Sequence, residues 1–297
     1  MSCAKLGLGT VQWGMTYGVA NRTGRPGADE VRRMLLLGRE HGIRLLDTAY
    51  AYGDAQKVLG AQGAAAQGYQ IVTKTKPLRV LQVGDDDVRE IVTAFDESLT
   101  SLGVESVYGL LVHGAGTLDA PGAESLWSAL ETFKRQGRVA RIGVSVYQPA
   151  QLQRILDRYP IDLVQLPFNV YDQRFKEQGL LRRLQGMRVE IHARSVFLQG
   201  LLLLSPEDLP PPFESLRPHH AHLHQRLRER GLTPIEGCLS YCLQQPEIGR
   251  IVVGCETADQ LKDVLDASAI NVPVELAELA EFGLLEEAVI NPSAWVN

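Results

Sequence analysis

The sequence predicts an α/β fold built of repeated strand–helix units, on three observations. Short apolar runs alternate with longer amphipathic stretches along the chain. Eight such runs occur, each too short for a core helix and apolar on both faces, as buried parallel strands are. No linker, low-complexity tract or composition shift divides the 297 residues, so 1–297 read as one domain. Eight successive βα units either close into a barrel or spread as a doubly wound sheet. The length suits a (β/α)8 barrel, which needs roughly 250 residues.

The strand candidates are 6–10, 44–47, 70–74, 107–113, 140–145, 163–166, 189–193 and 251–253. Between the third and fourth, Val88, Ile91, Val92, Phe95, Leu99 and Leu102 recur at helical spacing. Asp85, Asp86 and Asp87 precede that stripe, where the helix dipole favours negative charge, and Gly103 follows it as a C-cap. Leu126, Leu130 and Phe133 form a second stripe, closed by Gly137. Pro149 opens a helix carrying Leu152, Ile155 and Leu156. Thr233, Pro234 and Glu236 read as N-cap, first-turn proline and capping-box acid. Thr257 and Gln260 repeat the capping-box spacing before Leu261, Val264 and Leu265. Residues 196–232, rich in leucine, proline and histidine, break the alternation and read as a long βα loop over the active face. Residues 273–287 read as one extra C-terminal helix, followed by a tail that carries Trp295.

A net charge of −5 with both signs interspersed argues against a nucleic-acid partner, which needs a basic face. No apolar run approaches the ~18 residues of a membrane span, so no membrane partner is expected. The N-terminal stretch MSCAKLGLGT lacks the apolar core of a signal peptide. Cys3, Cys238, Cys242 and Cys255 show no CxxC spacing and read as reduced thiols, which suggests the cytoplasm.

Gly7 and Gly9 lack the third glycine of a dinucleotide turn, and no phosphate-binding P-loop is present. The stretch from Gly143 to Tyr147 falls one glycine short of a nucleophile elbow. His219, His220, His222 and His224 are spaced so that pairs could share a helix face toward a metal. No cysteine or carboxylate constellation accompanies them, so no metal site is expected and a solvated helix is the preferred reading.

Catalytic groups of βα barrels sit where strands end. Strand 2 ends at Asp47, with Tyr52 in the following loop; strand 3 ends at Lys74 and strand 4 at His113. A phenol, an amine, a carboxylate and an imidazole on one rim suit proton transfer coupled to hydride transfer. A free tyrosine has a pKa of about 10. A buried ammonium beside it would lower that value, a carboxylate would keep the ammonium charged, and the imidazole would orient a substrate oxygen. Trp13, Tyr17, Tyr50, Tyr147 and Phe168 are candidates for lining a substrate pocket, with packing as the competing role.

The ordered segments GLGTVQWG, LLDTAYAYGDAQKVLG, IVTK, LLVHG and IGVS resemble those of the aldo-keto reductases, from about Leu6 to Ala267. The resemblance implies a single (β/α)8 barrel of the TIM type. It makes Tyr52 the proton donor, Lys74 and Asp47 its tuning pair, and His113 the residue that orients the carbonyl. It also favours Lys74 over Lys76, because the family lysine directly follows a strand-closing Thr or Ser. It further implies a nicotinamide cofactor lying across the barrel mouth without a dinucleotide turn, and a small carbonyl or sugar substrate. The implied cofactor residues are Thr10, Ser145, Gln165, Arg194, Phe197, Gly200, Gly254, Glu256 and Gln260. Two departures stand out: Val146 replaces the family Asn, and Arg194 replaces the planar side chain, usually Tyr, that stacks on the nicotinamide. The family default is NADP(H). The strand-8 loop has no Lys or Arg before Lys262 and carries Glu256, which favours NAD(H). A cofactor-holding regulatory or redox-sensing protein on the same fold is the alternative; a metal-dependent barrel enzyme using the histidine run is a third reading.

Overall fold

The computed structural model describes residues 2–270 and 276–295. Eight parallel strands close a barrel in sequence order: β1 (Leu6–Gly9), β2 (Leu45–Asp47), β3 (Gln70–Lys74), β4 (Val107–Val112), β5 (Val139–Ser145), β6 (Leu163–Pro167), β7 (Glu190–Arg194) and β8 (Arg250–Gly254). Every expected strand is present, with ends displaced by no more than one residue. Closure is made by β1 pairing with both β2 and β8, with Gly9 opposite Asp47 on one side and Gly254 on the other.

The helices of the outer ring include α1 (Val11–Gly14), α2 (Ala28–Glu40), α3 (Ala55–Ala61), α4 (Asp85–Leu102), α5 (Ala123–Arg135) and α6 (Pro149–Leu156). They continue with α7 (Arg174–Glu177), α8 (Leu180–Gly186), α9 (Arg217–Glu229), α10 (Pro234–Leu243), α11 (Ala258–Ala269) and α12 (Glu287–Ile290). The α4 stripe buries Ile91, Phe95, Leu99 and Leu102, and Gly103 closes the helix at φ 67°. Thr233 and Glu236 form the expected capping box on α10. At α11 only half of the expected box forms. Thr257 accepts from the Gln260 amide, but the Gln260 side chain accepts from Glu256 N and donates to the Glu256 carboxylate.

Strand alternation divides the barrel interior into layers. Leu45, Val72, Leu111 and Leu163 meet as an apolar plug. Two residues further along the same strands stand Asp47, Lys74, His113 and Gln165. A dry floor therefore lies directly beneath the polar residues and keeps water from reaching them from below.

The 196–232 stretch is more ordered than a loop. It contains 3-10 turns at Leu198–Leu203, Pro206–Asp208 and Pro211–Leu216, then α9. The expected single helix over 273–287 is corrected. Residues 273–275 lie outside the described residues; beyond them come a 3-10 helix (Leu276–Phe282), an extended link and α12. The link follows Gly283 and docks by Leu284 N donating to Tyr171 O at 2.8 Å, a bond that a continuous helix would forfeit. Among the described residues no helix is long and apolar enough to cross a membrane, and no group of three or more His, Cys, Asp or Glu could hold a metal.

Candidate active site

A cavity of about 310 Å³ opens at the C-terminal ends of the strands, where the polar layer meets the βα loops. Lys74 is 1% exposed and spends its three ammonium protons inside the protein. They go to both Asp47 oxygens at 2.8 Å and to Thr48 O at 2.9 Å. Asp47 also accepts from Gln165 Nε2 at 2.7 Å. Thr10 secures the strand end, donating both its amide and its hydroxyl to Asp47 O at 2.9 and 3.0 Å.

Tyr52 follows on a tight turn, its amide bonded to Ala49 O at 3.1 Å. The turn lies directly on α1, because a methyl group at Gly14 would sit 1.8 Å from Tyr52 O. Gly14, a residue the chemical reading passed over, is thus required for Tyr52 to reach the cavity. The Lys74 ammonium stands 4.8 Å from the Tyr52 ring centroid. His113 packs edge-on against the same ring, with centroids 5.7 Å apart at 82°. Asp47, Tyr52 and His113 all line the cavity.

The electrostatics differ from the expectation in one respect. Burial raises the Tyr52 phenol well above the usual tyrosine value, and the Asp47 carboxylate raises it further, while Arg194 opposes both. The ammonium does not make this phenol acidic, because its protons and charge are committed to Asp47 and Thr48. Burial lowers Lys74, and Asp47 works against that fall. Burial, then Lys74 and Arg194, hold His113 down at about 3, so its ring is neutral near pH 7. Its Nδ1 is buried with no hydrogen-bond partner among the described residues.

Folding lowers the His113 pKa, so the folded state resists proton uptake. Its contribution to stability is complete above the unfolded value of about 6.5 and is lost as pH falls toward about 3. We expect the His113 ring signals in NMR to show no titration between roughly pH 5 and 8. A midpoint near the free-histidine value would refute the half-buried, cation-flanked placement.

The predicted cofactor residues Thr10, Ser145, Arg194, Phe197, Gly200, Gly254, Glu256 and Gln260 all line the cavity. Gln165 lies behind it, fully buried, with Oε1 unpartnered among the described residues. The Arg194 guanidinium lies 3.9 Å from the Tyr147 ring centroid and donates to Val146 O at 3.0 Å and Ser195 Oγ at 3.2 Å. Tyr17 and Tyr147 line the cavity as expected.

Three other aromatic residues do not, which corrects the expectation. Trp13 is 1% exposed and donates Nε1 to Cys255 O at 3.1 Å, so it braces β8 from within the core. Tyr50 turns outward and donates its hydroxyl to Glu97 at 2.8 Å. Phe168 is buried in a stack on Tyr241, with ring centroids 5.7 Å apart. Gln12, Asn21 and Gln199 line the cavity and were not anticipated. Asn21 carried one signal, an Asx turn before glycine: its Oδ1 accepts from Gly24 N at 2.7 Å.

The solvated reading of the histidine run holds for the exposed His222 and is corrected for two others. His220 is fully buried and His224 nearly so, and both are hydrogen-bonded to backbone carbonyls.

Residues 5–281 match the family model described as the aldo/keto reductase family. Among curated proteins, the chain is 25% identical over 248 residues to the uncharacterized oxidoreductase YqkF of Bacillus subtilis, covering 77% of this chain and 79% of that one. It is also 25% identical to the L-glyceraldehyde 3-phosphate reductase of Escherichia coli O157:H7, covering 94% and 90%. Among solved structures, the holo form of aldo-keto reductase AKR11C1 from Bacillus halodurans superposes with a TM-score of 0.74 at 23% identity, over 96% of this chain and 94% of that one.

Proposed function

Since the chain belongs to the aldo/keto reductase family of oxidoreductases, we propose that it interconverts a carbonyl compound (aldehyde, ketone or sugar) and its alcohol, with a nicotinamide cofactor and Tyr52 as proton donor and acceptor. One observation carries this reading. A half-buried, protonated phenol sits at the cavity wall between a paired ammonium 4.8 Å from its ring and a neutral imidazole.

The residues suit the cofactor. The buried Gln165 Oε1 has no partner among the described residues and is an acceptor that a carboxamide NH2 would satisfy. Ser145 and Gln165 would hold that carboxamide, Arg194 would face the ring, and the turn around Phe197 and Gly200 would cover the phosphates. The chemistry supplied by a bound reduced nicotinamide is one hydride, delivered to the carbonyl carbon. Tyr52 gives its hydroxyl proton to the carbonyl oxygen, so substrate gains one hydride and one proton in total. The Arg194 cation, which opposes the rise of the phenol, stabilises the phenolate left behind, which takes a proton back from solvent. His113 donates an N–H to the same oxygen and fixes its direction. The dry layer below excludes competing water. The four unpaired cysteines suit a reducing compartment, so cytoplasmic residence belongs to this reading.

The cavity's far end favours NAD(H). Glu256 and Asp263 line it, while the nearby cations are engaged: Lys262 with Asp266 and Arg33 with Glu30. A carboxylate there repels a 2′-phosphate and accepts from a hydroxyl. Paired fluorescence titrations with NADH and NADPH, followed by assay of cofactor oxidation over a carbonyl panel, test the reading. Glu256→Arg is expected to tighten NADPH binding by about tenfold, equivalent to ~1.4 kcal/mol. An unchanged NADPH affinity would remove Glu256 from the cofactor site. Tight cofactor binding without turnover of any carbonyl would favour the redox-sensing role instead.

A further inference from the structure

The histidines of α9 play no part in the chemistry above, yet two of them reach the cavity wall from behind. His220 Nε2 donates to Leu204 O at 2.9 Å, and its Nδ1 accepts the Tyr171 hydroxyl at 2.8 Å. His224 Nε2 donates to Leu202 O at 3.2 Å. The two residues are one helical turn apart, with ring centroids 4.3 Å from each other. One face of α9 therefore delivers two N–H donors to carbonyls two residues apart in the same turn.

That turn is part of the cavity. Phe197, Gln199, Gly200 and Leu203 line it. Its backbone is strained: Ser195, Leu198 and Gln199 hold φ of 59°, 48° and 55°, and Gly200 holds 90°. A side chain at Gly200 would also collide with Ala20, its Cβ lying 2.5 Å from the Ala20 Cβ. Non-glycine residues keep such angles only where their surroundings impose them. The entry to the turn is fixed by Asn169 Nδ2 donating to Ser195 O at 3.0 Å. Its middle meets Ala20 N at 3.4 Å through Gln199 O. Its exit is held by the two histidines.

We propose that His220 and His224 are positioning residues that clamp the 197–204 turn in the shape that receives a ligand, and that protonation of the pair releases it. The titration opposes the clamp for a physical reason. A proton added at His220 Nδ1 confronts the Tyr171 O–H, which must reverse. A second, on His224, places two cations side by side in a buried space. Burial lowers His220 to about 4 and also lowers His224. His219 and His224 oppose charge on His220, and Arg228 opposes it on His224; Glu207 and the two backbone carbonyls favour it. Folding thus lowers both values. The clamp is complete above the unfolded value of about 6.5 and weakens as pH falls toward about 4.

The inference rests on the proposed function only in taking the cavity as the ligand site, and its first test needs no ligand. Hydrogen exchange of the ligand-free protein, corrected for intrinsic rates, is followed over 198–204. Lowering the pH from about 7 to about 5 is expected to speed exchange there by about tenfold while peptides from the barrel strands stay protected. His220→Phe with His224→Phe is expected to give that fast exchange already at neutral pH, with no further pH response. His220→Gln, which keeps a donor, remains close to the parent. NADH affinity, by fluorescence, falls by about fivefold in the double variant. Exchange over 198–204 that ignores pH, or that rises equally throughout the barrel, overturns the proposal, as does unaltered NADH affinity beside a loosened turn. The pH arm uses the parent protein, so it decides the matter even if the double variant does not fold. A parent protein that binds no nicotinamide at all would instead count against the proposed function, leaving the exchange result to judge the clamp.

Discussion

Replacing Tyr52 with Phe is expected to lower kcat for carbonyl reduction by about 10²- to 10⁴-fold, or ~3–5 kcal/mol of barrier. Phenylalanine keeps the ring against Lys74 and His113, so packing and cavity shape survive. Only the transferable proton is lost. Cofactor affinity should therefore change by less than about threefold, because a group that acts only in the transition state does not contribute to ground-state binding. The raised phenol adds a direction. Tyr52 stays protonated through the neutral range, which is the form that reduction needs. Alcohol oxidation needs the phenolate, so its rate should climb with alkalinity. Steady-state rates in both directions against pH, beside nucleotide titrations, read all of this. A Phe variant that keeps more than about a tenth of the parent rate would exclude Tyr52 as the proton donor.

The second large effect is on stability. Lys74→Met strands the buried Asp47 carboxylate at the cavity wall, with the Gln165 amide as its one remaining side-chain donor among the described residues and an apolar floor beneath it. Breaking one side of a buried pair costs about 3–5 kcal/mol, because an uncompensated charge remains. Asp47→Asn alone strands the ammonium without a counter-charge, with two neutral acceptors, Thr48 O and the asparagine amide oxygen. Removing both charges together relieves both penalties, so the double variant should be more stable than the sum of the singles implies, by at least ~1 kcal/mol of coupling. Urea unfolding of the four proteins measures it. Strictly additive losses would mean that the pair is solvated or already broken in solution.

Much of the fold was legible because the signals are local. All eight strands fell within one residue of their expected limits, since a buried parallel strand is a short apolar run whatever surrounds it. The caps at Thr233 and Gly103 were legible for the same reason: each depends on a handful of neighbouring residues. The single helix expected over 273–287 failed because a bond from Leu284 to Tyr171, more than a hundred residues away, outweighs local periodicity. The histidines failed likewise. Polar spacing on α9 suggested solvent, but the turn after β7 supplies carbonyls that bury two of them.

At the site, the sequence by itself determined which groups could do chemistry. Strand ends converge on one rim in any βα barrel, so a carboxylate, an ammonium and an imidazole closing successive strands must be neighbours. Only the tertiary structure decided which aromatic residues face the cavity, and that Trp13, Tyr50 and Phe168 do not. It also decided that Lys74 is consumed by Asp47 and Thr48, so that burial raises Tyr52 instead of an ammonium lowering it. Those outcomes depend on distances across the barrel and on how completely water is excluded. Neither quantity is written in the spacing of residues along a chain.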